Sequence, residues 1–164
     1  MKIIDKLIEA SGKSVSWLTT ILVLIIGIDV FLRKVIGFSQ TWIIELEWEI
    51  FAVIFLIGAS YTFKHDKHVR VDVFYTNFSE SKKAWVNLTG TLLFCIPWTL
   101  LLINKSYHYA MNSWYIREGS SNPGGLPAVY IIKFIMVIGF CLLLIQSIAM
   151  VFYSLHKIIT SWKS

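Results

Sequence analysis

Between Ala84 and Asn104 the chain runs 21 residues without a charged side chain. About 20 residues of helix, rising 1.5 Å each, cross the hydrocarbon of a bilayer. Backbone polar groups in lipid must be satisfied within the protein, and a helix does this inside one segment. Three further apolar runs follow the same rule: Val15 to Leu32, Trp42 to Phe63, and Ala128 to Leu155. Hydrophobic residues make up 56% of the chain and charged residues 15%, against roughly 25% charged in an average soluble domain. One soluble core of this size does not need so many apolar residues. The sequence predicts an all-α integral membrane protein with four transmembrane helices, at about 15–36, 42–63, 84–104 and 128–155. Residues 1–164 form a single four-helix membrane domain with no visible repeat.

The segments between the runs carry the rest. Ile3, Ile4, Leu7 and Ile8 repeat at helical spacing among charged residues, which predicts a short interfacial amphipathic helix at about 2–12. The first apolar run is longer than a signal-peptide core and no small-residue cleavage site follows, so no cleaved leader is expected. Asp29 and Arg33 stand four apart and can pair on one helix face. Gly37 should end the first helix, with Ser39 or Thr41 capping the second. Val71, Phe74, Tyr75 and Phe78 fall on one helical face, which predicts a second interfacial helix at about 70–78; a plain loop is the alternative. Pro97 should kink the third span. Pro127 suits a first helical position of the fourth, Lys133 can snorkel, and Gln146 should face another helix.

The second span is the unusual one. Only Ile50 to Phe63, 14 residues, is free of charge. The turns holding Glu45, Glu47 and Glu49 must therefore meet headgroups or lie against protein. Glu45 and Glu49 share a face, within reach of Arg33 or Lys34; Glu47 points elsewhere, toward headgroups. Gly58, Ala59 and Ser60 make a patch that lets another helix approach. A proton or ion pathway is the sharper reading of such carboxylates, but deeper polar stations are lacking. The count of Lys and Arg places ten on the side of the termini and residues 64–83, and Arg33, Lys34, Lys105, Arg117 and Lys133 on the other. The positive-inside rule then puts both termini in the cytoplasm.

No catalytic, cofactor-binding or metal site is expected. There is no nucleophile triad spacing, zinc spacing or phosphate loop. His65 and His68 only weakly resemble a metal pair, and no histidine sits deep enough in a span to hold haem. Cys95 and Cys141 lie in apolar runs as fillers. The net charge of +5 is loop charge that sets orientation, and no basic run suits nucleic acid. A chain with charged ends and an apolar middle suits an accessory subunit. A small four-helix membrane enzyme or redox subunit using Glu45, His68 or Asp72, and a stand-alone small carrier, remain the alternatives.

The pattern Trp42-x-x-Glu45-Leu46-Glu47-Trp48, then Phe55-Leu56-Ile57-Gly58-Ala59, then His68-Val69-Arg70-Val71-Asp72, resembles the small membrane subunit, DctQ type, of tripartite ATP-independent periplasmic (TRAP) transporters. Arg33 and the stretch Glu118 to Pro127 followed by Lys133 are similar to that family as well, in its mannitol/chloroaromatic-type branch. The resemblance implies a chain in the bacterial inner membrane. Its partners would be the large TRAP membrane subunit, a periplasmic substrate-binding protein that delivers an organic acid, and membrane lipids. The large subunit would carry the substrate and sodium sites of the symport, and the small one would brace its static scaffold. Asp29, Arg33, Glu45 and Glu49 are expected to form a buried polar cluster within the subunit or with the large one. His68, Arg70 and Asp72 are expected to fix the turn after the second span. Trp42 and Gly58 complete the interface candidates.

Overall fold

The computed structural model describes residues 2–65, 75 and 77–161, and every regular element among them is helical. Helix α1 spans Lys2–Val35, α2 Thr41–Lys64, α3 Glu80–Gly90, α4 Ile96–Tyr115 and α5 Tyr130–Ser161. A π-helical turn, Thr91–Cys95, joins α3 to α4. The helix from Glu80 to Tyr115, together with α1 and α5, is long and apolar enough to cross a membrane. The fourth, α2, has 24 residues, about 36 Å at 1.5 Å each.

Successive helices along the chain reverse direction, and they form an open row in the order α1, α2, α5, α3–α4, in which α2 and α5 run parallel. In this row α2 and α5 are central, and α1 packs mainly on α2. An open row leaves wide apolar faces, and large side chains such as Trp17, Leu24, Phe51, Phe55, Phe94 and Trp98 are exposed. Lipid is an apolar solvent, so such exposure costs a membrane helix nothing.

The interfacial helix expected at 2–12 is the first three turns of α1, continuous with the span. Nothing breaks the helix there: Ser11, Ser14 and Ser16 return their hydroxyls to carbonyls three or four residues back. Gly12 lies so close to Tyr61 of α2 that any added Cβ collides with its ring. At 34 residues, about 51 Å, α1 outruns a hydrocarbon core of about 30 Å. Of the helix expected at 70–78, only residues 75, 77 and 78 are described.

Gly37 does end α1. Its φ of +70° is the left-handed conformation that glycine adopts freely, and the Phe38 N–H reaches the Leu32 carbonyl. The cap of α2 is Gln40, without a side-chain cap bond, and not Ser39 or Thr41. Pro97 sits just after the π-helical turn. A proline cannot donate to the carbonyl four residues back, and a single wide turn absorbs that mismatch inside a continuing helix. The Cys95 thiol in this turn meets the buried Ser147 hydroxyl of α5 at 3.1 Å. Pro127 stays in the loop and α5 begins at Tyr130.

Close approach of the central helices rests on α5. A Cβ at Gly139 would stand 2.9 Å from Leu56 Cβ and 3.0 Å from its carbonyl oxygen. The patch expected to do this, around Gly58, faces α1, where an added Cβ meets Val15 at an ordinary 3.7 Å. Ser60 in that patch is fully buried and bonds the Ile57 carbonyl at 2.9 Å.

Candidate functional site

The polar side chains concentrate at the two ends of the row. At the end away from the termini, Glu45 stands in the second turn of α2, facing the loop between α4 and α5. Its carboxylate accepts hydrogen bonds from the Ser120 hydroxyl, from Asn122 Nδ2 at 2.9 Å and from the Leu126 N–H at 2.7 Å. The loop folds to present these donors. Gly124 takes a left-handed φ of +72°, the Ser120 N–H bonds the Leu126 carbonyl at 2.8 Å, and the Gly125 N–H bonds the Asn122 carbonyl. A Cβ at Gly125 would lie 2.6 Å from Glu45 Oε2, so only glycine leaves room for the carboxylate.

A second tie closes the same loop onto α5. Lys133 is 6% exposed; its ammonium donates to Glu118 Oε2 at 2.5 Å and lies 3.9 Å from the Tyr109 ring centroid. It does not snorkel. The bond to Lys133 is the main cause holding the Glu118 carboxyl below the ordinary carboxylate range. Arg117, at a positive φ of 49°, covers the Trp114 ring at 3.9 Å. Trp114 in turn meets Tyr130 edge to face at 5.0 Å.

Asp29 and Arg33 pair on α1 as their spacing predicts, with Asp29 2% exposed. The remainder of the expected cluster divides. Glu45 turns to the loop, and it is Glu47 that lies within electrostatic reach of Asp29 and Arg33. Asp29 Oδ1 and Glu47 Oε1 are both buried without a hydrogen-bond partner among the described residues. Glu49 is half-buried one turn from Glu45. Trp42 is exposed at the start of α2. Helix phase explains the division: residues two apart, Glu45 and Glu47, point to different neighbours, and the neighbour of Glu45 was a loop with no apolar signature to place it.

At the end that holds both termini, ion pairs join the outer helices to the central pair. Lys64 of α2 reaches Glu9 of α1 at 2.9 Å and the Asp5 carbonyl at 3.0 Å. His65 lies 3.3 Å from Glu9 and against the Tyr61 ring. Glu80 of α3 takes Lys157 of α5 at 2.8 Å and Lys83 at 3.2 Å. His68, Arg70 and Asp72 lie outside the described residues. Among the described residues no cluster of His, Cys, Asp or Glu is suited to a metal. The Glu45 carboxylate is occupied by three donors, which leaves it poorly placed as an acid or base. Sequence reasoning missed the Glu9–Lys64 and Glu80–Lys157 ties; their only signal was opposite charge at helix ends brought together by an alternating topology.

Four helices of alternating direction, fastened by polar groups at both ends, define a multi-pass membrane component whose polar chemistry is spent on holding helices together. A family model described as tripartite ATP-independent periplasmic transporters, DctQ component, matches residues 22–157. The chain belongs to that family: it is a small component of TRAP transporters, a family of transporter components and not of enzymes. Comparison with curated proteins gives no match.

Proposed function

We propose that this chain is the scaffold subunit of a sodium-coupled importer of organic acids. It pairs with the large TRAP membrane subunit, and a periplasmic substrate-binding protein delivers the substrate. All four helices span the bacterial inner membrane with both termini cytoplasmic, a reading supported by the excess of Lys and Arg on that side. The large subunit carries the substrate and sodium sites. The small one holds that subunit's static part in the bilayer.

The observation that carries this reading is the open row itself. The clamps at Glu45, Glu118–Lys133, Glu9–Lys64 and Glu80–Lys157 close within the chain, whereas the faces of the row remain apolar, as at the exposed Phe51 and Phe55 of α2. A rigid apolar sheet of helices gives a second membrane protein a wide surface against which to move. In this arrangement Glu45 shapes the periplasmic edge of the sheet by fixing the loop 118–127. His68, Arg70 and Asp72 fix the cytoplasmic turn after α2.

The test is co-expression with the large TRAP membrane subunit from the same genome. The expected result is an equimolar complex, with sodium-driven uptake in proteoliposomes only when both membrane subunits and the binding protein are present. Uptake by the large subunit and binding protein alone, at the rate of the full system, overturns the scaffold role. Uptake by the small chain alone overturns the subunit assignment.

A further inference from the structure

An apolar groove of about 940 Å³ runs along the helix formed by α3, the π-helical turn and α4. Val86, Gly90, Phe94 and Trp98 line it, with Phe63 of α2 and Leu143 of α5. From Asn87 to Leu102 the helix rises about 22 Å at 1.5 Å per residue. That exceeds one leaflet's share, roughly half, of a hydrocarbon core of about 30 Å. A Cβ built on Gly90 meets nothing within 4 Å, so the groove is open at that point.

At Tyr75 and Asn87, which line both, the groove meets a second cavity of about 650 Å³ and opposite character. Its walls carry charge of both signs, and the signs are segregated. On the α3–α5 side the Glu80 carboxylate is shared by Lys83 and Lys157, which leaves one net positive charge among the described residues. On the α1 side Asp5 lines the wall, and Glu9 already answers Lys64, which leaves one net negative charge among the described residues. Deeper in, Gln146 is 5% exposed, and its Oε1 has no hydrogen-bond partner among the described residues. That oxygen is an acceptor and calls for a donor.

An apolar slot that opens into a cavity with a cationic and an anionic wall has the outline of one kind of molecule. We infer that this chain binds a glycerophospholipid whose headgroup carries a primary ammonium. One acyl chain lies along α3 and α4. The phosphate sits at Lys83 and Lys157 through charge-assisted hydrogen bonds. The ammonium faces Asp5, and the donors of the headgroup and its water answer the polar wall toward Gln146. A partner's apolar helix would fill the groove and leave the charged cavity unanswered. Phosphatidylglycerol brings no cation for Asp5, and the choline cation has no N–H to donate.

The experiment uses the whole purified chain, exchanged in detergent into equal amounts of phosphatidylethanolamine, phosphatidylglycerol and phosphatidylcholine, then read by native mass spectrometry. The expected result is one retained phosphatidylethanolamine per chain, preferred roughly tenfold over the other two, as an added charge-assisted contact gives. Gly90→Phe fills the open groove, and Lys83→Glu reverses the phosphate wall. Each should lower retention by roughly tenfold, with helix content by circular dichroism unchanged for Gly90→Phe. Equal retention of the three lipids, preference for phosphatidylglycerol or phosphatidylcholine, or unchanged retention in a folded Gly90→Phe chain overturns the site. The wild-type competition decides the matter even where a variant fails to fold.

Discussion

The Glu45 carboxylate accepts the backbone N–H of Leu126 at 2.7 Å, across 81 positions of sequence. With Ser120 and Asn122 donating to the same carboxylate, one side chain of α2 fixes the loop that connects α4 to α5. The loop joins neighbours in the row, so Glu45 ties together three of its helices at one end.

Replacing Glu45 by alanine removes all three acceptor contacts and frees the loop. Amide exchange at Leu126 should accelerate roughly tenfold or more, as expected when a tied loop opens locally. Exchange in the middle of α5 should stay unchanged. Glu45→Gln keeps one acceptor oxygen but turns a donor toward Ser120 and Asn122, so it should fall between the two. Hydrogen exchange read by mass spectrometry on the purified chain checks this. Unchanged exchange at 120–126 in Glu45→Ala would sink the clamp.

The helices were legible in the sequence because each records its own environment: apolar runs of spanning length, Gly37 where α1 turns, Asp29 and Arg33 one turn apart. What was not legible depends on which helices become neighbours. The sequence draws Glu45, Glu49, Arg33 and Asp29 into one group because they are close along the chain. Helix phase and row order instead send Glu45 to the loop and Glu47 to Asp29. Lys133 reads as a snorkelling residue beside lipid. It is buried because Glu118 and Tyr109 happen to stand over it. Gly58 reads as the contact glycine because it lies in a small-residue patch, but tightness is a property of both partners, and the tight sites are Gly12 against Tyr61 and Gly139 against Leu56.

Gly139→Ala should therefore be costly and Gly58→Ala mild. The new methyl at residue 139 falls within 3.0 Å of Leu56 backbone, so α2 and α5 must separate, with an overpacking cost of about 1–3 kcal/mol. At residue 58 the same methyl meets Val15 at a normal distance, and replacing glycine within a helix recovers up to about 1 kcal/mol of propensity. Thermal unfolding in detergent should rank the variants in the order Gly58→Ala, wild type, Gly139→Ala. Equal melting of the two variants contradicts the packing.

Arg33→Ala should destabilise the chain more than Asp29→Asn does. Removing the guanidinium strands the carboxylate of Asp29, 2% exposed, beside Glu47. Breaking a fully buried pair costs about 3–5 kcal/mol. The Arg33 side chain is 48% exposed, so solvent screening lowers this toward about 1–3 kcal/mol. Asp29→Asn removes the charge that needs a partner and relieves Glu47. Unfolding free energies of the two single variants and the double variant check the order, and the double variant should resemble Asp29→Asn.

The Glu118–Lys133 tie sets a pH window. Hydrogen bonding to Lys133 lowers the Glu118 carboxyl below its ordinary value of 4.5. A carboxyl depressed in the folded state binds its proton more readily once the chain unfolds. Its stabilising contribution is therefore complete above the unfolded value and is lost as pH falls through the lower, folded one. Wild type should thus exceed Glu118→Gln in stability by a constant margin at neutral pH. The margin should begin to shrink below about pH 4.5 and vanish once the folded carboxyl is protonated. Lys133→Met should weaken the pH dependence of that margin, because it removes the ammonium that is the main cause depressing Glu118, and leaves the smaller contribution of Ser113. Melting temperatures of wild type, the two single variants and the Glu118→Gln/Lys133→Met double variant from pH 3 to pH 7 (roughly the carboxylate range and above) test it. A margin that grows on acidification would mean that Glu118 is raised and that Lys133 is not its partner.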